Sequence, residues 1–157
     1  MKRIIVMMLI LSSLFLNSCF QTKLDCDSPQ VKSLAKSCLI DIAVSGLLTG
    51  MVQEAGFLAV ITPENVHDVL DEIKKCANNG NSKCIRIQNA LQLEEAKKFF
   101  DPDEYVFTSV KCLEKNERYC KCKANVFINP LNEVAHVIYT AILTKDNKIK
   151  VTLTLLN

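Results

Sequence analysis

The sequence predicts an α+β protein in which N-terminal helices pack on one face of a four-stranded antiparallel meander sheet stapled by disulfides. Three observations predict this fold. Apolar residues recur at spacings of three and four before Tyr105 and alternate with a period of two after it. The chain has 157 residues, is 49% apolar and contains only four Gly and four Pro, a composition typical of one globular domain. It also contains eight cysteines, which predict disulfide bonds in an exported protein.

The N-terminal segment has the pattern of a secretory signal. Met1-Lys2-Arg3 is basic, and residues 4–16 are apolar apart from Ser12 and Ser13. A membrane-spanning helix needs about 20 apolar residues, so this segment is short for a permanent anchor. We therefore expect residues 1–18 to be a signal peptide that is removed.

The end of this segment, Leu16-Asn17-Ser18-Cys19, resembles the lipobox of bacterial lipoproteins. The resemblance implies that Cys19 becomes the first residue and carries a diacylglyceryl group on sulfur and an acyl chain (palmitate) on its amine. Two or more chains give stable membrane attachment. Phe20, rather than Asp, follows the cysteine, which by the family rule favours the outer membrane of a bacterial envelope. The periplasmic and surface faces both remain open.

Cleavage changes the charge of the chain. The 19 basic and 17 acidic side chains become 17 of each when Lys2 and Arg3 leave. A neutral domain gives no reason to expect nucleic acid as a partner. Residues 19–25 would form a short tether and residues 26–157 a single domain. Since the six residues 20–25 extend at most about 20 Å, the domain would lie close to the lipid surface.

The first helix is predicted from its capping residues and its apolar stripe. Asp27 or Ser28 can cap it, and Pro29 fits its first turn. The stripe continues to Met51, but Asp41 and other polar residues interrupt the stretch, so we do not predict a second membrane span. The stripe consists of Val31, Leu34, Ala35, Cys38 and Ile42.

A second helix is predicted to begin at Thr62-Pro63-Glu64 and to stop at Asn78-Asn79-Gly80. The segment that follows, residues 85–100, is ambiguous, because its apolar residues fit a strand as well as a helix. We predict a helix for its second half only and leave residues 85–93 open between the two.

Four strands are predicted after Tyr105, over residues 105–112, 120–128, 134–144 and 148–156. Asp146-Asn147 suits a two-residue hairpin turn between the last two strands. This turn would place His136 on the inward face of the sheet together with Ile138 and Ile142. The turn pairs Ile142 with Val151 and Ile138 with Leu155.

Seven cysteines remain for the domain if Cys19 carries lipid, and an odd number leaves one without a partner. Cys76 and Cys84 flank a turn through Asn-Gly at a helix end and predict one closed loop. Cys120 and Cys122 share a strand face about 6.6–6.8 Å apart, so each needs a separate partner.

Cys112 lies across the predicted hairpin from these two cysteines. If Asn116 is the centre of the turn, Cys112 lies opposite Cys120, whereas a shift of two residues places it opposite Cys122. Both pairings remain open. The remaining strand cysteine would take Cys26, and Cys38 would be left as a buried thiol in the helix stripe.

Three short segments resemble small, poorly characterised bacterial envelope lipoproteins. They are Cys26-Asp-Ser-Pro at a helix start, Tyr119-Cys-Lys-Cys-Lys-Ala124 on a strand and Ile138-Tyr-Thr140 before the final hairpin. The resemblance implies that the helix-start cysteine reaches the Cys-Lys-Ala strand, and it implies no activity.

Motifs for catalysis are weak in this sequence. Gly-x-Ser-x-Gly, His-Glu-x-x-His and Cys-x-x-Cys do not occur in it. A metal site could draw on Cys120, Cys122 and His136 with Cys112, but zinc sites usually use Cys-x2-Cys, so we favour disulfides. No catalytic residue and no cofactor is predicted.

The predicted function is that of a membrane-anchored, non-enzymatic envelope lipoprotein that binds another protein, as an accessory subunit, an inhibitor or an exclusion factor. The alternative is a lipoprotein that binds a small ligand or a metal in a cleft between helices and sheet. A deep pocket with converging polar groups would favour the alternative. An exposed apolar patch would favour protein binding.

Overall fold

A computed structural model describes residues 24–156 and confirms the α+β fold, with helices first and a sheet last. The helices are α1 (Pro29–Glu54), α2 (Val66–Asn78), α3 (Ser82–Leu91) and the single turn α4 (Glu94–Lys97). The strands are β1 (Tyr105–Asn116), β2 (Tyr119–Ile128), β3 (Glu133–Leu143) and β4 (Ile149–Leu156). Their order in the sheet is β1-β2-β3-β4 and every pair is antiparallel, which is the predicted meander. The predicted signal peptide and Cys19 lie outside the described residues.

Helix α1 begins as its capping residues predict. The Ser28 hydroxyl accepts a hydrogen bond from the Val31 N–H at 3.2 Å, and Pro29 occupies the first turn. At 1.5 Å per residue, its 26 residues give a helix about 39 Å long. The two halves of this long helix pack against different elements.

The first half of α1 covers the inward face of the sheet, and the second half packs on α2 and α3. The sheet-side core takes every second residue of β2, as the alternation predicts. Its buried members on the strands are Tyr105, Cys120, Cys122, Ala124, Val126, Ile128, Val137, Tyr139 and Ala141. The helix-side core consists of Val44, Leu48, Val52, Val66, Ile73 and Ile87.

Within residues 24–156, α1 is the one helix that is long and apolar enough to cross a membrane. Its buried residues contact the sheet and the other helices. One third of its most apolar window is buried inside the domain. Asp41, near its middle, pairs with the Nε2 atom of His67 at 3.0 Å, which joins α1 to α2.

The last hairpin closes differently from the prediction. The Thr144 N–H donates to the Lys148 carbonyl at 2.8 Å, so the loop holds three residues rather than two. Its third residue, Asn147, has a φ of 56°, the left-handed conformation that asparagine tolerates better than most residues. A three-residue loop that ends in this conformation is a common alternative to the two-residue turn.

The longer loop shifts the register of β3 and β4 by one residue. Side chains alternate between the two faces of a strand, so a shift of one moves a whole set of side chains to the other face. The predicted inward residues of β3 therefore point outward, and their neighbours Val137, Tyr139 and Ala141 form the core. The observed pairs are Ala141–Val151 and Val137–Leu155, in place of Ile142–Val151 and Ile138–Leu155.

The helical region also departs from the prediction at two places. Helix α2 begins at Val66, later than predicted, because a turn holds the preceding residues through a bond from the Thr62 N–H to the Asn65 side chain at 2.8 Å. Residues 85–91, which the sequence left open, belong to α3. The Asn81 side chain caps α3 by accepting a hydrogen bond from the N–H of Cys84 at 3.3 Å, and this cap stabilises the helical conformation.

Candidate functional site

The disulfide predicted between Cys76 and Cys84 is present, with the Cα atoms 5.8 Å apart. It joins the last turn of α2 to the first turn of α3 across the Asn-Gly turn. Gly80 has a φ of 82° there, a conformation that favours glycine. The bond closes a local loop and holds two helices of the helix-side core together.

A second disulfide joins Cys26 to Cys122, with the Cα atoms 5.7 Å apart. This is one of the two arrangements that the sequence left open for Cys26. The bond connects Cys26, three residues before the first residue of α1, to β2, an inner strand of the sheet. The buried Tyr139 hydroxyl donates to the Cys26 carbonyl at 2.9 Å, so Cys26 is held through its main chain as well as its sulfur.

The third predicted bridge is absent, because Cys112 and Cys120 are both thiols. The register explains this. After a bulge in β1, Cys112 lies directly opposite Cys122, whose sulfur is bonded to Cys26, and Cys120 lies opposite Lys115. Cys112 and Cys120 are therefore diagonal neighbours, and such positions lie about 7–8 Å apart, beyond the usual disulfide range.

Cys38 is a free thiol, as predicted, although it is half-buried rather than buried. Its Sγ atom lies 3.7 Å from the Val151 carbonyl oxygen on β4. Burial, with a smaller contribution from the nearby Asp41 carboxylate, raises the pKa of the Cys38 thiol. The Cys38 sulfur contacts main chain on β4 rather than another sulfur, so Cys38 serves packing between α1 and the sheet.

Three sulfur atoms meet beside the start of α1, and we call Cys26, Cys120 and Cys122 the sulfur cluster. Their Sγ atoms all lie within 4.8 Å of one another, and those of Cys120 and Cys122 are 3.8 Å apart. Burial raises the pKa of the Cys120 thiol. Lys115 borders the cluster and pairs with Asp25 at 2.6 Å, which raises the pKa of the lysine.

The metal set considered from the sequence is not brought together. The sulfur cluster contains Cys120 and Cys122, but His136 lies on the outer face of the sheet. Its Nδ1 atom is 2.8 Å from the Asn125 side-chain oxygen across the β2–β3 pair. The one-residue register shift of the last hairpin is the reason, since it moves His136 from the predicted inward face to the outward one.

Two depressions lie among the helices of the described residues rather than between helices and sheet. One is a cavity of about 580 Å³ lined by Leu70, Leu91, Gln92, Lys97, Phe100, Asp101 and Pro102. The other, of about 230 Å³, lies beside the Cys76–Cys84 disulfide, and we call it the helix groove. The helix groove is lined by Val52, Phe57, Leu58, Ala59, Val69, Glu72, Ile73, Cys76, Cys84 and Ile87.

The segment between α1 and α2, residues 57–61, exposes large apolar side chains, and we call it the apolar loop. Leu58 is 104% exposed and Val60 is 82% exposed. Phe57, one residue before them, packs on the helix-side core, and the Lys83 ammonium lies 5.4 Å from the centre of its ring. This loop is not among the predicted features, although the five apolar residues between Gly56 and Pro63 are a signal for it.

The apolar loop lies in an acidic part of the chain. Residues 37–73 contain six carboxylates and neither lysine nor arginine. One of these, Asp41, is paired with His67, whereas Glu72 lines the helix groove itself. The apolar loop and the helix groove thus form one apolar surface, bordered by the Glu72 carboxylate and by the Lys83 ammonium beside Phe57. No protein-family model, curated protein or solved structure matches the chain.

Proposed function

We propose that this chain is a lipid-anchored, non-enzymatic protein of the bacterial envelope that binds another protein through its apolar loop and helix groove. The observation that carries this proposal is the high exposure of Leu58 and Val60, at 104% and 82%, in a short loop. Exposed apolar side chains that are contiguous with an apolar groove are typical of a binding surface. Single exposed apolar residues are ordinary, but here Leu58 lines the helix groove and Val60 follows it two residues later in the same loop.

The size and the lining of the helix groove favour a protein partner over a small ligand. Its volume of about 230 Å³ is below the range of about 300–1,000 Å³ in which small-molecule pockets fall. Nine of its ten lining residues are apolar or disulfide-bonded, and Glu72 is the one charged group. A shallow apolar groove suits one or two side chains from a partner rather than a whole ligand.

The charge around the apolar loop favours a protein over a lipid surface. Loops that insert into bacterial membranes are helped by lysine and arginine, because the lipid headgroups are often anionic. Residues 37–73 carry six carboxylates and no such residue, and the Lys83 ammonium beside Phe57 offsets only part of this charge, so an anionic surface is not favoured here. The complementary partner has an apolar centre with lysine or arginine at its rim.

The position of the apolar loop fits a domain that is anchored at its other end. The proposed lipid on Cys19 precedes Cys26, which is bonded to the sheet beside the start of α1. The apolar loop follows the end of α1, about 39 Å away along the helix axis. An anchor at one end and a binding surface at the other leave the surface accessible to a partner in the envelope.

The described residues also support a role without catalysis. Both histidines are engaged outside any depression: His67 pairs with Asp41 and His136 contacts Asn125. Neither Asp41 nor Asn125 lines one of the two depressions described above. The buried Cys120, whose thiol pKa is raised, is poorly suited to catalysis on an external substrate.

The anchor is tested separately from the binding surface. The Cys19→Ser variant should lose labelling by a radioactive or clickable fatty acid and should move to the soluble fraction. The Cys38→Ser variant is the control, because it also removes one thiol but should keep label and membrane attachment. Unchanged labelling of Cys19→Ser would overturn the lipoprotein assignment. Density separation of the two membranes tests the outer-membrane location.

The binding surface is tested by site-specific photocrosslinking in intact envelopes. A photoreactive amino acid at position 58 should give one defined adduct, and the same amino acid at Lys145, in the exposed β3–β4 hairpin, is the control. Mass spectrometry should place the crosslink on a protein segment with flanking lysine or arginine. The adduct should disappear when Val60→Asp is added. Adducts with lipid alone, or a small ligand that copurifies with the chain while no protein is crosslinked, would contradict the proposal.

A further inference from the structure

The four cysteines around the start of α1 have more bonding arrangements open to them than the one observed. The sulfur cluster holds the disulfide Cys26–Cys122 and the thiol of Cys120. Cys112, on edge strand β1, is exposed and lies directly opposite Cys122. Since directly opposed residues of an antiparallel pair point to the same face, Cys112 lies on the same face of the sheet as the sulfur cluster, next to its member Cys122.

We propose that this group is a two-state disulfide site. In the first state Cys26 is bonded to Cys122, and in the second state Cys26 is bonded to Cys120. The Cys122 thiol that this exchange releases then forms a disulfide with Cys112. This proposal is independent of the proposed partner surface, which lies at the other end of α1. It accounts for the two thiols that the predicted third bridge left without partners.

The first step is an isomerisation that needs no external reagent. The Cys120 thiolate attacks the Sγ atom of Cys26, the Cys26–Cys122 bond breaks, and its electron pair leaves on Cys122. The proton lost by Cys120 is regained by Cys122, so one disulfide and one thiol are present before and after. The Sγ atoms of all three residues lie within 4.8 Å, so small rotations of side chains bring the sulfurs together.

Attack on Cys26 is favoured over attack on Cys122 by the geometry of the strand. A bond between Cys120 and Cys122 would join residues two apart on an extended strand, whose Cα atoms are separated by about 6.6–6.8 Å, at the far edge of the disulfide range. Cys26 instead approaches β2 from outside the sheet, and it lies beside both strand cysteines. The exchange therefore moves the bridge along β2 and keeps Cys26 attached to the sheet.

The second step forms the third bridge and consumes one external disulfide, such as oxidised glutathione or the disulfide of an envelope oxidase. The exposed Cys112 thiolate attacks that disulfide, forms a mixed disulfide and releases one thiol. The Cys122 thiolate then attacks the Cys112 sulfur and releases the second thiol. Two cysteine thiols are oxidised to Cys112–Cys122, and one external disulfide is reduced to two thiols.

In the oxidised state strand β1 would be bonded covalently to the rest of the sheet, whereas in the observed state it is not. The C-terminal half of β1, residues 111–116, is exposed throughout and lies at the sheet edge. A Cys112–Cys122 bond would fasten this half to β2, while Cys26–Cys120 would still hold the start of α1. An exposed edge strand is the part of a sheet most open to pairing with another chain, so the bond would close this edge to rearrangement.

The bonding of these cysteines can be mapped by trypsin, because Lys121 separates Cys120 from Cys122. The full chain is solubilised from membranes in mild detergent, incubated at mildly alkaline pH, acidified and blocked with N-ethylmaleimide. The peptide with Cys26 should be found linked to the peptide 119–121 as well as to the peptide 122–123. After treatment with oxidised glutathione, Cys112 should be linked to Cys122, and Cys26 to Cys120.

Two matched variants make the outcome decisive. Cys122→Ser should transfer the bridge to Cys120, leaving no free thiol at position 26. Cys120→Ser should keep Cys26–Cys122, so that glutathione remains attached to Cys112 as a mixed disulfide. Cys38→Ser, outside the group, should behave as the unaltered chain. The proposal is overturned if Cys122→Ser has free thiols at both Cys26 and Cys120, or if oxidation joins Cys112 to Cys120 directly. If Cys122→Ser does not fold, the peptide map of the unaltered chain tests the proposal, and a Cys26 peptide that is never linked to peptide 119–121 would overturn it.

Discussion

The buried hydroxyl of Tyr139 donates a hydrogen bond of 2.9 Å to the main-chain carbonyl of Cys26, which connects strand β3 to the segment that leads into α1. Next to it, the Cys26 sulfur is bonded to Cys122 on β2. One residue is thus fixed to two adjacent strands, by its main chain to one and by its side chain to the other. This double attachment sets where α1 begins on the inward face of the sheet.

Tyr139→Phe should weaken this attachment without changing the fold. The substitution removes the donor and leaves the buried Cys26 carbonyl without its partner, which typically costs about 1–3 kcal/mol. Urea unfolding with the disulfides intact measures the loss. Tyr119→Phe, on the outer face of the sheet, is the control and should change the free energy of unfolding by less than about 0.5 kcal/mol. Equal effects of the two substitutions would contradict a structural role for the bond.

The two disulfides should contribute unequally to stability. Cys26–Cys122 spans 96 residues and Cys76–Cys84 spans 8. In the chain-entropy model the longer loop is worth about 4.7 kcal/mol and the shorter about 2.6 kcal/mol. Cys26→Ser should therefore lower the unfolding temperature more than the double variant Cys76→Ser with Cys84→Ser, as calorimetry would show. A larger loss from the short loop would show that native-state packing, not chain entropy, dominates.

The sequence predicts most elements of this fold because their signals are local. Ser28 and Pro29 mark the start of α1, and the alternation through Cys120, Cys122 and Ala124 identifies the inward face of β2. The last hairpin could not be predicted as reliably. Asp146-Asn147 suits loops of two and of three residues, and only the left-handed conformation of Asn147 in the folded chain selects the longer one.

The candidate site shows the same division between local and distant signals. Cys76 and Cys84 are close in sequence and flank a turn, so their pairing was predictable. The partner of Cys26 depends on bulges in β1 that set which residue lies opposite Cys122, and no local pattern specifies them. The apolar loop could not be predicted because an apolar segment between helices is usually buried, and its exposure is evident only in the fold, where Phe57 packs on the helix-side core and Leu58 does not.

Tyr105 should make the stability of the domain sensitive to alkaline pH. Its hydroxyl donates to the Phe99 carbonyl at 2.8 Å. Burial, with a smaller effect of the Glu104 charge, raises the pKa of Tyr105 to about 12. Because this pKa is raised above the unfolded value of about 10, the neutral form is favoured in the fold. Its stabilising contribution is whole below pH about 10 and is lost as the pH rises through about 12.

Urea midpoints measured across this interval test the effect of Tyr105. The unaltered chain should lose stability more steeply with rising pH than Tyr105→Phe, which cannot ionise. The difference in phenolate absorbance between the two proteins should show ionisation of Tyr105 well above the value of a free tyrosine. Parallel pH curves for both proteins would show that Tyr105 does not couple to folding.

The apolar loop should be dispensable for folding, as expected if its role is to bind a partner. Leu58 and Val60 make few buried contacts, so Leu58→Ser with Val60→Ser should change the free energy of unfolding by no more than about 0.5 kcal/mol. Ile73→Ala, in the helix-side core nearby, should cost about 2–5 kcal/mol because it leaves a cavity. Urea unfolding compares the two. A large loss from the loop substitutions would show that Leu58 and Val60 pack within the domain, and exposure would then no longer support a binding role.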